Sequence, residues 1–203
     1  MRPAPHRQSV LLIVSGPSGS GKDSVIAALR NLEPHIAYCV STTTRAPRPG
    51  EQEGIHYHFV TRERFEQENK AGKFLETREY AGNLYGTPRE FVESTLRSGR
   101  DLVMKPEVNG ALKIKQMYPQ AVLVFLTVRS EDVLQRRLEE RSANGADDIA
   151  ARMETARAES KSIGAYDYLI INEELHVAVA QLRTILKAEQ LKVWRLREMS
   201  QSP

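Results

Sequence analysis

The sequence predicts an α/β protein in which a parallel sheet is covered by helices on both faces. Two observations support this fold class. Short apolar runs typical of buried strands alternate along the chain with segments whose apolar residues recur at helical spacing. The first apolar run leads directly into a glycine-rich loop and then a helical segment, and a helix that starts after such a loop presents its N-terminus to anions.

Each predicted element rests on this alternation. The apolar runs that predict strands cover residues 9–14, 102–104, 122–128 and 168–171. The helical patterns cover residues 24–32, 88–98, 108–117, 130–141, 147–163 and 175–196. The last helix is predicted from the spacing of Leu175, Val179, Leu182 and Leu186, which would form one apolar face.

The segment from about residue 38 to 85 interrupts this alternation. It begins with Thr, Arg and Pro residues that indicate turns, and it continues with aromatic residues and short β-like pieces at 55–60 and 74–75. We interpret it as an insertion that builds a second binding surface. The chain of 203 residues is long enough for one substantial core but short for two, so we expect a single domain.

Composition excludes several other classes of protein. A net charge of +3, from 29 Lys and Arg against 26 Asp and Glu, is too small and too dispersed to indicate nucleic-acid binding. The longest apolar run, residues 10–14, is far too short to span a membrane, and the first nine residues contain no apolar signal segment. The single cysteine, Cys39, excludes an internal disulfide framework. We therefore expect a cytoplasmic enzyme.

The glycine-rich loop fits the phosphate-binding pattern GxxxxGK[ST] except at its last position, where Asp23 replaces the hydroxyl residue. In such loops the backbone amides surround nucleotide phosphates, the lysine reaches the β and γ oxygens, and the hydroxyl ligates magnesium. A loop that merely joins strand to helix would leave Lys22 without a role. The residues predicted to bind ATP are Gly16, Pro17, Ser18, Gly19, Ser20, Gly21, Lys22, Asp23 and Ser24.

A second anion site is predicted in the inserted segment. Arg45 and Arg48 lie three residues apart in a stretch that prolines stiffen, and the guanidinium group matches phosphate oxygens bidentately. Taken alone, the two arginines could equally form a solvated basic turn.

From about residue 10 to 187 the chain resembles the guanylate kinases. Besides the loop, the resemblance is carried by the segments STTTRAPRPG (41–50), EGIHYHF (53–59), FLE (74–76), GNLYGT (82–87), VNGA (108–111) and INE (171–173). It implies a P-loop NTPase-type parallel sheet flanked by helices, with an inserted mixed α/β GMP-binding subdomain and a helical lid. It also implies magnesium-dependent phosphoryl transfer from ATP to GMP in a monomer or homodimer.

The resemblance further implies a division of the single domain. The core would comprise residues 9–37, 92–138 and 160–187, the GMP-binding insertion residues 38–91, and the lid residues 139–159. Residues 188–203 would form a C-terminal tail.

The resemblance also implies roles for individual residues. Arg45, Arg48, Tyr57 and Tyr85 would bind the phosphate of GMP with Ser41 close by, and Glu76, Thr87 and Glu107 would complete the GMP site. Guanine alone offers both a protonated N1 and a 2-amino group to a carboxylate such as Glu76, while the Thr87 hydroxyl would meet O6. Lys22, Arg137, Arg141 and Arg152 would act on the transferring phosphoryl group. Asn172 would lie on the adenine side.

Two departures from the family pattern concern the metal. The family usually has Asp-x-Asp where this chain has Lys105-Pro106-Glu107, and Asp23 adds a carboxylate to the loop. We infer an exchange of charges in which Asp23 ligates the metal or holds a metal-bound water, while Lys105 pairs with Asp23 or with a phosphate. The two side chains should then lie close together.

Two other functions stay open at this level. The Gly-Lys-Asp-Ser ending of the loop also resembles the ribose 1,5-bisphosphate phosphokinases, but such an enzyme has no use for Glu76 and Thr87 as readers of a base. A guanylate-kinase-like binding module without catalysis would account for Lys105 and Asp23, but not for the retained Lys22 and lid arginines.

Overall fold

The computed structural model describes residues 7–80, 82–141 and 146–196, and a five-stranded parallel sheet forms the centre of this part of the chain. The strands are β1 (Leu11–Ser15), β2 (Ala37–Tyr38), β7 (Leu102–Met104), β8 (Val122–Thr127) and β9 (Tyr168–Ile171), in the order β2-β7-β1-β8-β9. All their pairings are parallel. The predicted fold class is confirmed.

The central strand β1 is buried along its whole length because helices cover both faces of the sheet. Leu12 and Val14 belong to one core with Leu29 of helix α1 (Lys22–Leu32) and Leu182 of helix α7 (Leu175–Gln190). Ile13 belongs to the core on the opposite face. Alternate side chains of a strand point to opposite faces, so an apolar strand of this kind needs cover on both sides.

In the described part of the chain, five more helices outside the inserted segment lie between the strands of the central sheet or after the last of them. They are α3 (Arg89–Arg97), α4 (Val108–Met117), α5 (Glu131–Arg141), α6 (Ala146–Ser160) and α8 (Val193–Leu196), with a 3₁₀ turn at Ile163–Ala165. Helices α5 and α6 pack through an apolar cluster of their own that includes Leu134, Leu138 and Met153. Within the described residues, no helix is long and apolar enough to cross a membrane.

The segment predicted as an insertion forms a second sheet. Its strands are β3 (Thr42–Thr43), β4 (His58–Phe59), β5 (Phe74–Tyr80) and β6 (Asn83–Pro88), in the order β4-β3-β6-β5, and helix α2 (Arg62–Lys70) packs on β5. The rings of Phe65 and Phe74 are stacked, with their centroids 4.6 Å apart. The residues of the predicted second anion site lie in this sheet or beside it in the segments before β3 and between β3 and β4.

Several predicted boundaries are wrong. The helix predicted over 175–196 is two helices, because α7 ends at Gln190 and α8 starts at Val193. The buried Arg195 explains the break: its Nη1 donates to the Ser9 carbonyl at 2.7 Å and its Nη2 to the Gln120 carbonyl at 3.0 Å, which ties the last turn to the core. The helix predicted to reach residue 163 ends at Ser160. Residues 197–203 of the predicted tail lie outside the described residues.

Candidate active site

The glycine-rich loop connects the carboxyl end of β1 to the N-terminus of α1, as predicted. Gly16 has φ of +139°, and a Cβ atom there would lie 2.1 Å from the Leu126 carbonyl oxygen of the adjacent strand β8. Gly21 has φ of +93°, and its Cβ would lie 2.3 Å from Nδ2 of Asn172. Only glycine fits at either position, so the loop lies tightly against the sheet just before the N-terminus of α1, where backbone amides can bind phosphate.

Three predicted ATP-site side chains gather at this loop. Nζ of Lys22 donates to the carbonyls of Gly16 at 2.6 Å and Pro17 at 2.9 Å, which folds the ammonium back over the loop. Nδ2 of Asn172 donates to the Ser20 carbonyl at 2.8 Å, and Nη2 of Arg137 donates to the Asn172 carbonyl at 3.1 Å. Asn172 therefore supports the loop itself, a contact that the sequence did not indicate.

The other two predicted arginines belong to the α5–α6 region. Arg141 is the last residue of α5, and its side chain lies outside the described part of the chain. Arg152 is half-buried on α6. Their roles stay predictions.

The predicted second anion site is assembled from separate parts of the insertion. The guanidinium carbon of Arg45 lies 5.5 Å from the centroid of the Tyr57 ring, and the rings of Tyr57 and Tyr85 meet edge to face at 6.0 Å. Arg48, three residues after Arg45, is exposed. Ser41 lies just before β3, and its carbonyl accepts a hydrogen bond from the backbone amide of His58. Of the residues predicted for this site, the structure thus brings together one cation, Arg45, and the phenol rings of Tyr57 and Tyr85.

Glu51 is a residue of this site that sequence reasoning missed. Its two carboxylate oxygens accept from Nη2 of Arg45 at 2.8 and 2.9 Å, and Oε2 also accepts from the backbone amide of Arg48 at 2.8 Å. A carboxylate bound in this way contacts the groups that would hold a phosphate. The sequence signal for this contact was an acidic residue only three positions after Arg48, within reach of both arginines.

A cavity of about 340 Å³ lies between β5, the start of α4 and the end of α6. Glu76 lines it, and the buried Thr87 hydroxyl donates to Oε1 of Glu76 at 2.6 Å. Burial raises the pKa of Glu76 above its ordinary value, while this hydrogen bond partly offsets the rise. A carboxylate that has lost water and has no cation bonded to it favours a ligand that offers N–H donors.

Room for Glu76 is left by Gly110 of α4. A Cβ atom at position 110 would lie 2.7 Å from Oε2 of Glu76. The glycine of the VNGA segment is therefore needed because α4 passes directly beside the Glu76 carboxylate at this position.

Glu107 also lines the cavity, where it forms an ion pair with Arg78. Arg78 in turn lies over the Tyr85 ring, 5.3 Å from its centroid. Glu159 of α6 faces the same cavity, and burial together with the neighbouring Glu107 raises the pKa of Glu159 to about 7. Neither Arg78 nor Glu159 was a sequence candidate, because no motif marks them.

The exchanged charges do form a pair, as predicted. Nζ of Lys105 lies 2.5 Å from Oδ1 of Asp23. Parallel pairing of β1 with β7, in which Ile13 lies opposite Met104, places Lys105 beside the start of the loop. Burial opposes the charge of Lys105, but Tyr38 and Asp23 more than offset this and raise its pKa.

Within the part of the chain that the structure describes, no group of three or more His, Cys, Asp or Glu residues could hold a metal ion. An ion bound beside Asp23 would therefore depend on oxygen atoms of the substrate and on water for most of its ligands.

Comparison with known proteins decides the family. The family model described as guanylate kinase matches residues 8–189. The chain belongs to the guanylate kinase family. The guanylate kinase of Desulfitobacterium hafniense (strain Y51) is 40% identical over 190 residues, which cover 94% of this chain and 95% of that protein. The guanylate kinase of Shouchella clausii (strain KSM-K16) is 42% identical over 191 residues, covering 94% and 93%.

The structural comparison agrees with this assignment. The crystal structure of guanylate kinase from Anaplasma phagocytophilum matches with a TM-score of 0.80 at 34% identity, over 95% of this chain and 92% of that chain. A gluconokinase from Sinorhizobium meliloti 1021 matches with a TM-score of 0.54 at 18% identity, which shows a shared fold alone. The resemblance inferred from the sequence is confirmed.

Proposed function

We propose that this protein transfers the γ-phosphoryl group of ATP to GMP and releases ADP and GDP. One observation carries the proposal beyond family membership. The side chain of Lys105 contacts Asp23 at the start of α1 and also lies 5.3 Å from the ring of Tyr57 in the second anion site. The loop for one phosphate group and the Arg45–Tyr57 site for another are therefore adjacent, as transfer between two nucleotides requires.

The loop amides and Lys22 would hold the ATP phosphates. Phosphoryl transfer needs mainly alignment and stabilisation of charge on the phosphate oxygens, so no nucleophilic side chain is required. Lys22 supplies one cation and Arg137 a second beside the loop. Arg141 and Arg152 are proposed to add positive charge from the lid, and Asn172 to contribute on the adenine side.

The insertion would hold GMP. Arg45, Arg48, Tyr57 and Tyr85 are proposed to bind its phosphate, with Ser41 beside them. Because Glu51 is bonded to Arg45 and Arg48, phosphate must compete with this carboxylate for the guanidinium group. Glu76, Thr87 and Glu107 line or border the cavity in which guanine would bind, with Glu76 accepting from N1 and the 2-amino group.

Magnesium is proposed as the metal that accompanies ATP. Mg²⁺ is usually held by one or two carboxylates together with substrate phosphates and water, and the 66% exposed side chain of Asp23 directly after Lys22 fits that donor set. When bound, the ion neutralises charge on the phosphate oxygens. Lys105 pairs with the same carboxylate, so Asp23 is a weaker ligand than an isolated aspartate would be.

A coupled assay of ADP release tests the proposed function against its alternatives. The protein is incubated with ATP and magnesium, and GMP, AMP or ribose 1,5-bisphosphate is supplied as acceptor. GMP should give the highest kcat/KM by at least a hundredfold, because only guanine offers both donors to Glu76. Preference for ribose 1,5-bisphosphate, or absence of turnover with every acceptor, would refute the proposal and favour the sugar-phosphate kinase or the binding module.

Substituting Gly110 by alanine should raise KM for GMP by about tenfold and leave KM for ATP nearly unchanged. The added Cβ would lie 2.7 Å from Oε2 of Glu76, so the carboxylate must shift away from the guanine position. Steady-state kinetics with each substrate varied in turn measure the effect. Gly164→Ala is the matched control, since a Cβ there meets nothing within 4 Å. Equal KM values for GMP in the two variants would contradict the placement of guanine.

The raised pKa of Glu159 predicts a pH-dependent stability. Its pKa lies near 7 in the folded protein against 4.5 for a free glutamate, so the folded state retains a proton that the unfolded state releases. The free energy of unfolding should therefore fall as pH rises from about 4.5 through about 7, by about 1 kcal/mol after solvent screening is allowed for. Glu107 and Lys22 are the charged groups that act most strongly on it.

Urea denaturation at several pH values checks this prediction with Glu159→Gln, which should flatten the decline. The control is Glu154→Gln, an exposed residue on the same helix. An unchanged pH profile for Glu159→Gln would show that this carboxyl does not titrate in the stated range.

A further inference from the structure

Lys105 occupies a position that the family pattern does not explain. It follows β7 directly and is flanked by two different parts of the molecule. On one side is Asp23 of α1, 2.5 Å from its ammonium, and on the other is the ring of Tyr57, with the ammonium 5.3 Å from the centroid. Lys105 therefore lies at the junction between the ATP-phosphate loop and the proposed site for the GMP phosphate.

The burial of the ion pair is unequal. Only 15% of the Lys105 side chain is exposed, whereas 66% of the Asp23 side chain is exposed. A surface salt bridge usually contributes little to stability, and here the lysine gives up most of its hydration for a partner that remains largely in water. A dianionic phosphate group, which carries more negative charge than one carboxylate, would be a stronger partner for this ammonium.

Two cations lie close to the Tyr57 ring. Arg45 lies 5.5 Å from its centroid and Lys105 lies 5.3 Å from it. Both cations thus border the space beside one ring, where the GMP phosphate is proposed to bind. An ammonium has three donors and no acceptor, so Lys105 cannot orient a metal-bound water by accepting a hydrogen bond from it. It can contact phosphate oxygens directly.

We propose that Lys105 is a further catalytic residue whose ammonium contacts phosphate oxygens of GMP and of the phosphoryl group during transfer. Asp23 is its positioning residue: it holds the ammonium at the junction of the two sites. This inference rests on the proposed function. No bond to Lys105 forms or breaks, and its proton stays on the nitrogen throughout, so its contribution is electrostatic.

Binding measured without ATP separates the phosphate contact from other effects. For Lys105→Met, calorimetry should show GMP affinity lowered at least tenfold and guanosine affinity within twofold of wild type, because guanosine lacks the phosphate. The kcat/KM for GMP should fall at least a hundredfold, which is typical of losing one charged group aimed at the transition state. Lys105→Gln serves as a second variant should Lys105→Met not fold.

Lys115→Met is the matched control, because Lys115 is also partly buried and paired, with Asp167 at 3.0 Å, but outside the site. It should leave GMP affinity and kcat/KM within twofold of wild type.

The positioning role of Asp23 is tested by a double-mutant cycle. Asp23→Asn should lower kcat/KM for GMP by a larger factor in the wild-type background than in the Lys105→Met background, where only the proposed contribution of Asp23 to magnesium binding is lost.

Equal GMP affinity in wild type and Lys105→Met would overturn the proposal, as would an equal loss of GMP and guanosine binding, which would indicate a purely structural lysine. Strictly additive effects in the cycle would refute the positioning role of Asp23. Absence of GMP phosphorylation by the wild type would instead refute the proposed function, and it is seen before any variant is compared.

Discussion

Substituting Lys22 by methionine is expected to lower kcat for GDP formation by about 10²–10³-fold, equivalent to about 2.7–4 kcal/mol of transition-state stabilisation. The ammonium lies over the glycine-rich loop at the first residue of α1, where it is held by the carbonyls of Gly16 and Pro17. Methionine retains the length of the side chain and removes the charge. The measurement is initial rate at saturating ATP and GMP.

The control for this variant is Lys187→Met, which removes an exposed lysine paired with Glu33, the residue after the C-terminal end of α1 and therefore at the opposite end of that helix from the loop. That variant should keep kcat within twofold of wild type. Thermal unfolding of both variants verifies that they are folded. A Lys22→Met protein with wild-type kcat would place phosphate transfer somewhere other than this loop.

Glu76→Gln should lower the preference for GMP over AMP by about 1–3 kcal/mol, which is roughly a five- to 150-fold change in the ratio of kcat/KM values. Glutamine has nearly the same shape as glutamate but presents an N–H₂ group to guanine N–H donors, so a donor would face a donor inside a buried site. The Thr87 hydroxyl, which donates to Glu76 at 2.6 Å, would keep an oxygen acceptor. The ratio of kcat/KM for GMP to kcat/KM for AMP is measured in the coupled assay for the wild type and for the variant.

Glu66→Gln is the matched control, because Glu66 is an exposed residue of α2 in the same insertion. It should keep the wild-type ratio. If Glu76→Gln also kept that ratio, the base would be recognised by other groups and the assignment of Glu76 would be wrong.

The central sheet could be predicted because its strands are short and continuously apolar. All five residues of β1 are buried, and a run of that kind between a polar terminus and a glycine-rich loop has few other interpretations. Strand β2 was missed because it has only two residues. Strand β6 was missed because Gly86 and Pro88 are poor strand formers, and its pairing with β5 and β3 decides its conformation.

The candidate site was predictable where a residue belongs to a local pattern and unpredictable where it acts through a distant contact. Lys22 and Arg45 lie in short motifs whose chemistry can be inferred from their neighbours, whereas the role of Glu76 was implied only by the resemblance to the guanylate kinases. Glu159 becomes a site residue only because α6 brings it beside Glu107. The pairing of Lys105 with Asp23 was predictable because parallel neighbouring strands place their carboxyl ends together.

The proposed reaction requires ATP and GMP to bind at the same time, with their phosphates meeting beside Lys105. Inhibition by a dinucleotide in which adenosine and guanosine are joined through five phosphates tests it most directly. Because one such molecule would occupy the loop, the junction at Lys105 and the Arg45–Tyr57 site together, inhibition should be competitive with ATP and also competitive with GMP. Inhibition that competes with only one of the two substrates would contradict the account.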